Sequence, residues 1–303
     1  MIGAERACGL DELVARARDL ELRGFASVWI PQVFGLDAVT AAAVVGRETR
    51  RIEIGTAVVP TFPRHPAALA QQALTTAAAC AGRFTLGIGL SHRVVIEGAL
   101  GLSYVRRARH MREYLEVLGP LLRGEPARFA GEEYRVDLTL GVPGAPPVPV
   151  LVAALGDQML RIAGRSAAGT ILWMTGPRTI ECHIAPKLRA AAREAVRPEP
   201  RIVAGVQIAL VAQRDEALAR LAKRIAVYRE LPSYRAMLEK EGVDHPADLA
   251  LVGDEPLLDA GLARLRAAGV TDLEAVVVPL AEGVEERTLA YLASRLQEES
   301  AGA

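Results

Sequence analysis

The chain has 303 residues, of which 51% are hydrophobic and 24% charged, so it can bury a large core and is not a disordered protein. Lysine plus arginine and aspartate plus glutamate both number 36, and only 4% of the residues are aromatic. This neutral balance, with few aromatic side chains, argues against a nucleic-acid-binding protein.

Three features of the sequence predict a cytoplasmic location. The cysteines, Cys8, Cys80 and Cys182, are odd in number and widely spaced, which favours a reducing compartment over a disulfide framework. The N-terminal residues lack a basic segment followed by an apolar stretch, so no signal peptide is expected. No apolar run reaches the roughly 18 residues that a membrane-spanning helix needs, so no membrane partner is expected.

Strand-type and helix-type patterns alternate along the whole chain. The predicted strands are residues 1–7, 25–30, 52–59, 84–88, 148–153, 170–173, 201–211 and 273–278. The predicted helices are residues 11–23, 37–46, 67–79, 104–123, 157–165, 178–196, 215–228, 256–268 and 285–297. Eight strands, each followed by a helix, predict an α/β fold of the parallel (β/α)8 TIM-barrel type. A doubly wound open sheet is the alternative.

Two stretches interrupt this alternation. Residues 124–148 are rich in glycine and proline and contain a hairpin-like pattern, FAGEEYRVD. Residues 229–253 are read as irregular. Because strands and helices resume after each stretch, we interpret both as insertions on a single barrel domain that spans residues 1–303.

Familiar catalytic and metal-binding motifs are absent. The segment GIGLSH has Gly87 and Gly89 of a dinucleotide fingerprint but His92 where the third glycine should be. The five histidines form neither an HExxH motif nor a close cluster, so no metal site is expected.

Position therefore selects the candidate residues. In an α/β barrel the ligand site lies at the carboxyl ends of the strands. Small residues after the fifth strand would let a flat ring or a phosphate approach the backbone, and a hydroxyl, an open backbone and a cation follow the sixth. The alternative is that these small residues merely allow tight turns. The candidates are Gln32, Ala57, Val58, Gly89, Ser91, His92, Ala153, Ala154, Gly156, Thr175, Gly176 and Arg178.

Several segments, in order, carry a resemblance to a known family. They are GFASVWIP (residues 24–31), IEIGTAVVP (52–60), RHP (64–66), AGRFTLGIG (81–89), VLVAALG (150–156) and GTILWMTGP (169–177). Together they resemble the bacterial luciferase-like superfamily, and more closely its branch that uses the deazaflavin coenzyme F420. The segments LPSYRAM (231–237) and ALVGD (250–254) also resemble that branch.

The resemblance implies a flavin-type ring at the carboxyl face of the barrel. It implies a non-proline cis peptide between Ala57 and Val58, with that backbone against the ring, and it places residues 89–92, 153–156 and 175–178 around the cofactor and its phosphate. The chemistry would be hydride transfer with F420, or oxygen activation if the ring is FMN. A homodimer formed through the helices that flank strands two and three is also implied.

One departure from the family bears on proton transfer. Many relatives have Asp-His after the second strand, where this chain has Gln32 and Val33. Gln32 can hydrogen-bond a ring carbonyl or a substrate but cannot titrate. His92, which follows strand four on the same face, is the candidate acid or base in its place. The alternatives are that His92 is a surface or helix-start histidine and that the reaction needs no acid from the protein.

Three functions follow as hypotheses. The first is an F420-dependent oxidoreductase that acts on an unknown small organic molecule. The second is an FMN-dependent monooxygenase that works with a separate reductase. The third, favoured by the missing Asp-His pair, is a barrel that has lost flavin chemistry and serves as a non-redox enzyme or a partner protein.

Overall fold

The computed structural model describes residues 9–302 and places nine strands in one sheet. All pairings within this sheet are parallel, in the order β1-β2-β4-β7-β8-β9, with β3 beside β4 and with β10 and β11 both on β9. The strands β5 and β6 form a separate antiparallel hairpin. The bounds are β1 (Ser27–Ile30), β2 (Glu53–Thr56), β3 (Val59–Pro60), β4 (Phe84–Gly89), β5 (Ala127–Ala130), β6 (Arg135–Leu138), β7 (Val150–Ala153), β8 (Gly169–Trp173), β9 (Arg201–Leu210), β10 (Leu251–Gly253) and β11 (Asp272–Val277).

Helices connect successive strands and cover the outside of the sheet. They are α1 (Leu10–Leu22), α2 (Ala38–Glu48), α3 (Pro66–Ala79), α4 (Arg107–Leu122), α5 (Asp157–Ser166), α6 (Pro177–Thr179), α7 (Ala185–Glu194), α8 (Arg214–Ile225), α9 (Pro232–Glu241), α10 (Glu255–Ala267) and α11 (Val284–Gly302). Two π-helical turns, Val94–Ala99 and Ile180–Ile184, and two 3-10 turns, Ala226–Glu230 and Pro246–Leu249, complete the list.

The architecture is the predicted α/β barrel, nearly closed by sequential parallel strands. The strand order follows the chain, without the reversal that a doubly wound sheet has at its centre, so the alternative fold is wrong. The predicted second to eighth barrel strands are all present. The predicted first strand, residues 1–7, lies outside the described residues. Within residues 9–302, β1 and β11 do not pair with each other.

The two predicted insertions have different outcomes. The hairpin in residues 124–148 is confirmed by β5 and β6. The irregular reading of residues 229–253 is wrong, because this stretch contains α9, the 3-10 turn Pro246–Leu249 and β10. Helix α9 begins with proline and ends at Gly242, which has a positive φ of 84°. Its periodicity is weak because it buries only Met237 and Leu238.

Apolar side chains inside the barrel form a core distinct from the larger one between sheet and helices. Trp29, which is 1% exposed, packs there with Leu151, Ile171 and Val203 and fills the barrel interior. No helix in the described part of the chain combines the length and apolarity that crossing a bilayer requires.

Ion pairs and backbone contacts join elements at the amino end of the barrel. The Arg201 guanidinium donates to Glu53 at 2.8 Å and to Asp272 at 2.6 Å, which connects β9 with β2 and β11. Glu21 accepts the backbone N–H groups of Arg50, Arg51 and Ile52. Burial alone would raise the pKa of Glu21, but these three donors lower it to about 2.

Arg83 has a structural role beside β4. Its guanidinium donates to the carbonyl oxygens of Gly46 and Ile52 at 2.7 Å each and to that of Thr49 at 3.0 Å. These bonds connect the end of α2 with the beginning of β2, immediately beside β4.

Candidate functional site

A cis peptide bond between Ala57 and Val58 interrupts the third barrel strand at its carboxyl end. This confirms the expectation for that peptide bond. The Thr56 hydroxyl donates to the Gly87 carbonyl and accepts the Gly87 N–H, both at 2.9 Å. The Thr56 side chain thus takes the place of a strand-to-strand backbone pair at the point where the chain bulges into the barrel.

Gly87 and Gly89 of β4 make room for this bulge. A Cβ atom on Gly87 would overlap the Thr56 carbonyl, and one on Gly89 would lie 2.7 Å from Cγ2 of Val58 and 3.2 Å from Cβ of Ala153. The two glycines therefore accommodate protein backbone and the Val58 side chain. The Gly-x-Gly spacing that fails as a dinucleotide fingerprint has this packing role instead.

The loop after β7 leads into α5, whose first backbone N–H groups have no side-chain capping partner. Gly156 is the N-cap of α5 and makes no side-chain capping bond, and the space beside its Cα is open. Ala153 is half-buried and Ala154 is buried behind it. This geometry lets an anion approach the first turn of α5.

His183, in the π-helical turn Ile180–Ile184, bonds the loop after β7 and holds it in position. Its Nε2 lies 2.8 Å from the Leu155 carbonyl, which requires that this nitrogen carry the proton and donate. Its Nδ1 accepts from the Lys187 ammonium at 3.1 Å, and Lys187 pairs with Asp157 at 2.6 Å. His183 was not among the sequence-predicted residues because it lies 28 positions from the loop that it holds.

The loop after β8 has its donors already occupied. The backbone N–H groups of Arg178 and Thr179 donate to the Glu241 carboxylate at 3.1 and 2.7 Å, and a Cβ on Gly176 would overlap that carboxylate. The Thr175 hydroxyl donates to the Trp173 carbonyl at 3.1 Å. The proposed phosphate contact of Thr175, Gly176 and Arg178 thus competes with an internal carboxylate, and it stays a prediction.

Ser91 and His92 follow β4 at the same end of the barrel. Ser91 has a positive φ of 60°, and its carbonyl accepts from the Tyr104 hydroxyl at 2.7 Å. His92 is half-buried, with its ring 5.3 Å from that of Tyr234. Burial lowers the pKa of His92, so the imidazole is neutral near pH 7 and can accept a proton.

Gln32 has a structural partner. Its side-chain carbonyl accepts the Ala38 N–H at 2.8 Å, next to the bond from the Thr40 N–H to Asp37 at 2.9 Å. Gln32 therefore satisfies a donor at the beginning of α2. Its amide nitrogen and the second lone pair of its carbonyl oxygen remain for the predicted contact with a ring or substrate.

A row of aromatic rings at the carboxyl face begins at β8, passes through the 3-10 turn Ala226–Glu230 and α9, and ends at His92 after β4. The centroid distances are 5.9 Å from Trp173 to Tyr228, 5.5 Å from Tyr228 to Tyr234 and 5.3 Å from Tyr234 to His92. Sequence reasoning missed Tyr228, Tyr234 and Glu241 as site residues. The proline and glycine that bound α9 were the available signal for the helix that carries two of them.

A buried cluster around one histidine, His110, stabilises the chain just beyond the cis peptide. The Thr61 N–H donates to the Gly89 carbonyl at 2.9 Å, and the Thr61 hydroxyl lies 2.8 Å from Nε2 of His110. The Phe62 ring stacks on His110 with centroids 4.0 Å apart. Burial lowers the pKa of His110 to about 4. In residues 9–302, no group of three or more histidine, cysteine or acidic side chains is arranged to hold a metal ion.

Comparison with solved structures concerns the fold. The F420-dependent tetrahydromethanopterin reductase from Methanopyrus kandleri superposes with a TM-score of 0.79 at 20% identity, over 95% of this chain and 94% of that one. The FMN-bound oxygenating constituent of 3,6-diketocamphane monooxygenase from Pseudomonas putida gives 0.75 at 17% identity, over 97% and 94%. These two neighbours, one named as F420-dependent and the other as bound to FMN, share the barrel fold of this chain.

Comparison of sequences gives the family. An F420-dependent glucose-6-phosphate dehydrogenase from Intrasporangium calvum is 31% identical over 264 residues, which cover 82% of this chain and 78% of that protein. An F420-dependent hydroxymycolic acid dehydrogenase from Mycobacterium tuberculosis is 31% identical over 226 residues, covering 70% and 62%. The family profile described as luciferase-like monooxygenase matches residues 2–293. The chain therefore belongs to the luciferase-like monooxygenase family.

Proposed function

We propose that this protein is an F420-dependent oxidoreductase that moves a hydride between the deazaflavin ring and a carbon atom of a small organic substrate. The similar curated proteins of about 30% identity support the cofactor. The structural observation that carries the proposal is the pairing of two features at one end of the barrel. The bulge at Ala57 and Val58 lies beside Gly89 and Ala153, and the uncapped first turn of α5 follows β7.

The residues present fit a flat ring with a phosphate tail. Ala57, Val58, Gly89 and Ala153 would form one wall of the ring site, since their small side chains and backbone leave a flat surface. Ala154 and Gly156 would admit the phosphate to the N–H groups of α5, where the open space beside Gly156 lies. His183 would keep this loop in position.

The bound cofactor supplies the carbon that accepts or gives the hydride. The chain would supply the proton transfer. Neutral His92 can accept the proton that leaves a substrate hydroxyl, and His92 and Tyr234 pack together at the mouth of the barrel. Ser91 would fix the backbone before His92 through its bond with Tyr104.

Fluorescence titration tests the cofactor directly. Both tryptophans, Trp29 and Trp173, lie in the barrel, and Trp173 is half-buried at the carboxyl end of β8. We expect F420 to quench this fluorescence saturably, with FMN binding at least tenfold more weakly, and Trp173→Phe to lose most of the signal. Binding of neither cofactor to the folded protein would contradict the proposal and favour a barrel without flavin chemistry. FMN preference would favour the monooxygenase, which oxygen uptake with a flavin reductase would confirm.

The homodimer and the cytoplasmic location belong to the same proposal. The homodimer, formed through the helices that flank the second and third barrel strands, is expected from the resemblance to the family. Mass photometry of the purified chain tests it, with a dimer as the expected result and a monomer at micromolar concentration as the contradiction.

A further inference from the structure

We propose that the substrate is an uncharged and largely apolar molecule, and that Glu241 excludes anionic substrates such as sugar phosphates from the loop after β8. This inference rests on the proposed function and extends it to the substrate class. Three independent observations carry it: the position of the Glu241 carboxylate, the pairing of nearby arginines, and the apolar side chains on two neighbouring loops.

Glu241 fills the place where an anion would otherwise bind after β8. Its two oxygens accept the N–H groups of Arg178 and Thr179, and its carboxylate packs directly on Gly176. Any side chain on Gly176 would displace it. A second anion brought to these donors would have to displace a charged carboxylate or lie beside it, which opposes binding.

Four arginines around the mouth are paired with carboxylates of this chain, whereas the exposed Arg178 after β8 bonds Glu241 through its backbone N–H. Arg64, in the loop after β3, pairs with Asp37 in the loop after β1. In the segment after β4 and the helix that follows it, Arg93 pairs with Glu97, Arg106 with Glu133 and Arg109 with Glu132. Recognition of a sugar phosphate uses cations that are open to the ligand, and these pairs reduce that attraction.

Apolar side chains dominate the exposed part of the same loops. The described residues expose ten large hydrophobic side chains, and seven of them lie after β1 or after β4. Phe34 is 72% exposed and Val94 is 64% exposed. The full set of seven is Val33, Phe34, Leu36, Val94, Leu100, Leu102 and Val105. Such clustering marks a binding surface for apolar material.

Contacts connect these loops with the proposed site. The ion pair between Arg64 and Asp37 joins the loop after β1 to the segment after β3. From there, the Phe62 ring lies 5.2 Å from the Tyr104 ring, and the Tyr104 hydroxyl bonds the Ser91 carbonyl beside His92. These contacts place the loops that carry the apolar side chains beside Ser91 and His92 at the carboxyl end of the barrel, which favours a substrate as their occupant.

For an alcohol substrate the reaction balances as follows. Oxidation of the carbinol to a carbonyl would release a hydride from the carbon, for which the bound cofactor would be the acceptor, and a proton from the hydroxyl, which His92 would accept. Release of that proton to solvent would restore neutral His92. An uncharged alcohol needs no cation at the mouth for either step.

Ligand binding to the F420-loaded protein tests the substrate class. The probes are 2-octanol and glucose 6-phosphate, each titrated against the fluorescence of the bound cofactor. We expect 2-octanol to bind at least tenfold more tightly. Tighter binding of glucose 6-phosphate would overturn the inference, and so would failure of 2-octanol to bind. Failure of F420 to bind in the first place would instead overturn the proposed function.

Variants of Glu241 test its role in exclusion. We expect Glu241→Ala to bind inorganic phosphate at least tenfold more tightly than the parent in calorimetry, because two N–H donors are freed and one negative charge is lost. Glu241→Gln, which retains one acceptor, should show a smaller gain and serves if the alanine variant does not fold. The matched control Glu239→Gln removes an exposed charge from the same helix and should show no gain. Unchanged phosphate affinity in folded Glu241 variants would overturn the assignment.

The apolar loop is tested with Phe34→Ser. We expect its affinity for 2-octanol to fall about tenfold, as for the loss of a large apolar contact. Leu22→Ser, at an 82% exposed position at the end of α1, is the control and should bind 2-octanol like the parent. If Phe34→Ser changes the oligomeric state and leaves 2-octanol binding intact, the surface is a subunit interface and the inference is wrong.

Discussion

The two ends of the barrel use their polar groups for different purposes. At the amino end, Arg201, Glu21 and Arg83 connect elements that are distant in sequence, and their partners are other parts of the same scaffold. At the carboxyl end, His183 and Glu241 hold individual loops in one conformation. Apolar side chains and the open N–H groups of α5 remain exposed there.

This difference separates stability from function. Loss of a bridge at the amino end should lower the free energy of unfolding and leave cofactor affinity unchanged. Loss of a contact at the carboxyl end should change ligand affinity more than stability, because each contact there holds a loop and not the sheet.

The largest effect on stability is expected for Arg201→Met. Arg201 is 29% exposed as a side chain and bonds both Glu53 and Asp272, so its removal leaves two partly buried carboxylates without their cation. We expect a loss of about 3 kcal/mol in urea unfolding, with the affinity for F420 unchanged. The control Arg18→Met breaks the exposed pair with Glu48 and should cost less than about 1 kcal/mol. Equal losses in the two variants would contradict the distinction.

A pH-dependent effect of similar size is expected from His110. Its pKa is about 4 in the folded protein, against an ordinary value of 6.5, so between these values the unfolded chain binds more protons. The contribution of neutral His110 to the free energy of unfolding is therefore complete above pH 6.5 and is lost as the pH falls toward 4. We expect the free energy of unfolding to fall by about 3 kcal/mol more in the parent than in His110→Gln over this window. Identical pH profiles of the two proteins would contradict the buried, neutral state of His110.

A moderate effect on both stability and binding is expected at Gly89. In Gly89→Ala the new methyl would lie 2.7 Å from Cγ2 of Val58, so the bulge must shift. We expect a loss of about 1–2 kcal/mol in stability and about tenfold in F420 affinity. Adding Val58→Ala should restore most of the stability. A single variant as stable as the parent, or a double variant no better than the single, would contradict this packing.

The smallest effect is expected for His183→Ala, which frees the loop of residues 153–156. We expect about 1 kcal/mol lower stability and about fivefold weaker binding of F420. His245→Ala is the control, because His245 also bonds backbone, accepting the Ala247 N–H at 3.1 Å. It should lose similar stability without losing F420 affinity. Equal affinities in the two variants would remove the positioning role of His183.

The sequence predicts most of the fold because barrel strands and helices have strong local patterns. The predicted strand at residues 84–88 is present as β4, which is buried along its full length. The family resemblance added the cis peptide between Ala57 and Val58, which composition and periodicity do not indicate.

What sequence reasoning missed depends on contacts between distant segments. Glu241 lies 62 positions from the Thr179 N–H that it accepts, so the sequence near Gly176 predicts an open backbone and gives no sign of the carboxylate that covers it. Helix α9, which ends at Glu241, buries only two residues and gives a weak helical pattern. The glycines of β4 likewise match part of a dinucleotide-binding motif in the sequence. In the structure they lie against Thr56 and Val58 of this chain and not against a ligand.

The most direct test of the account is a crystal structure of the protein with F420 bound. The account predicts the deazaflavin ring against Ala57 and Val58, with the phosphate within hydrogen-bonding distance of the N–H groups at the beginning of α5 and Glu241 still bonded to Thr179. A phosphate bound by Arg178 and Thr179, with Glu241 displaced, would contradict both the assignment of the loop after β7 and the role of Glu241.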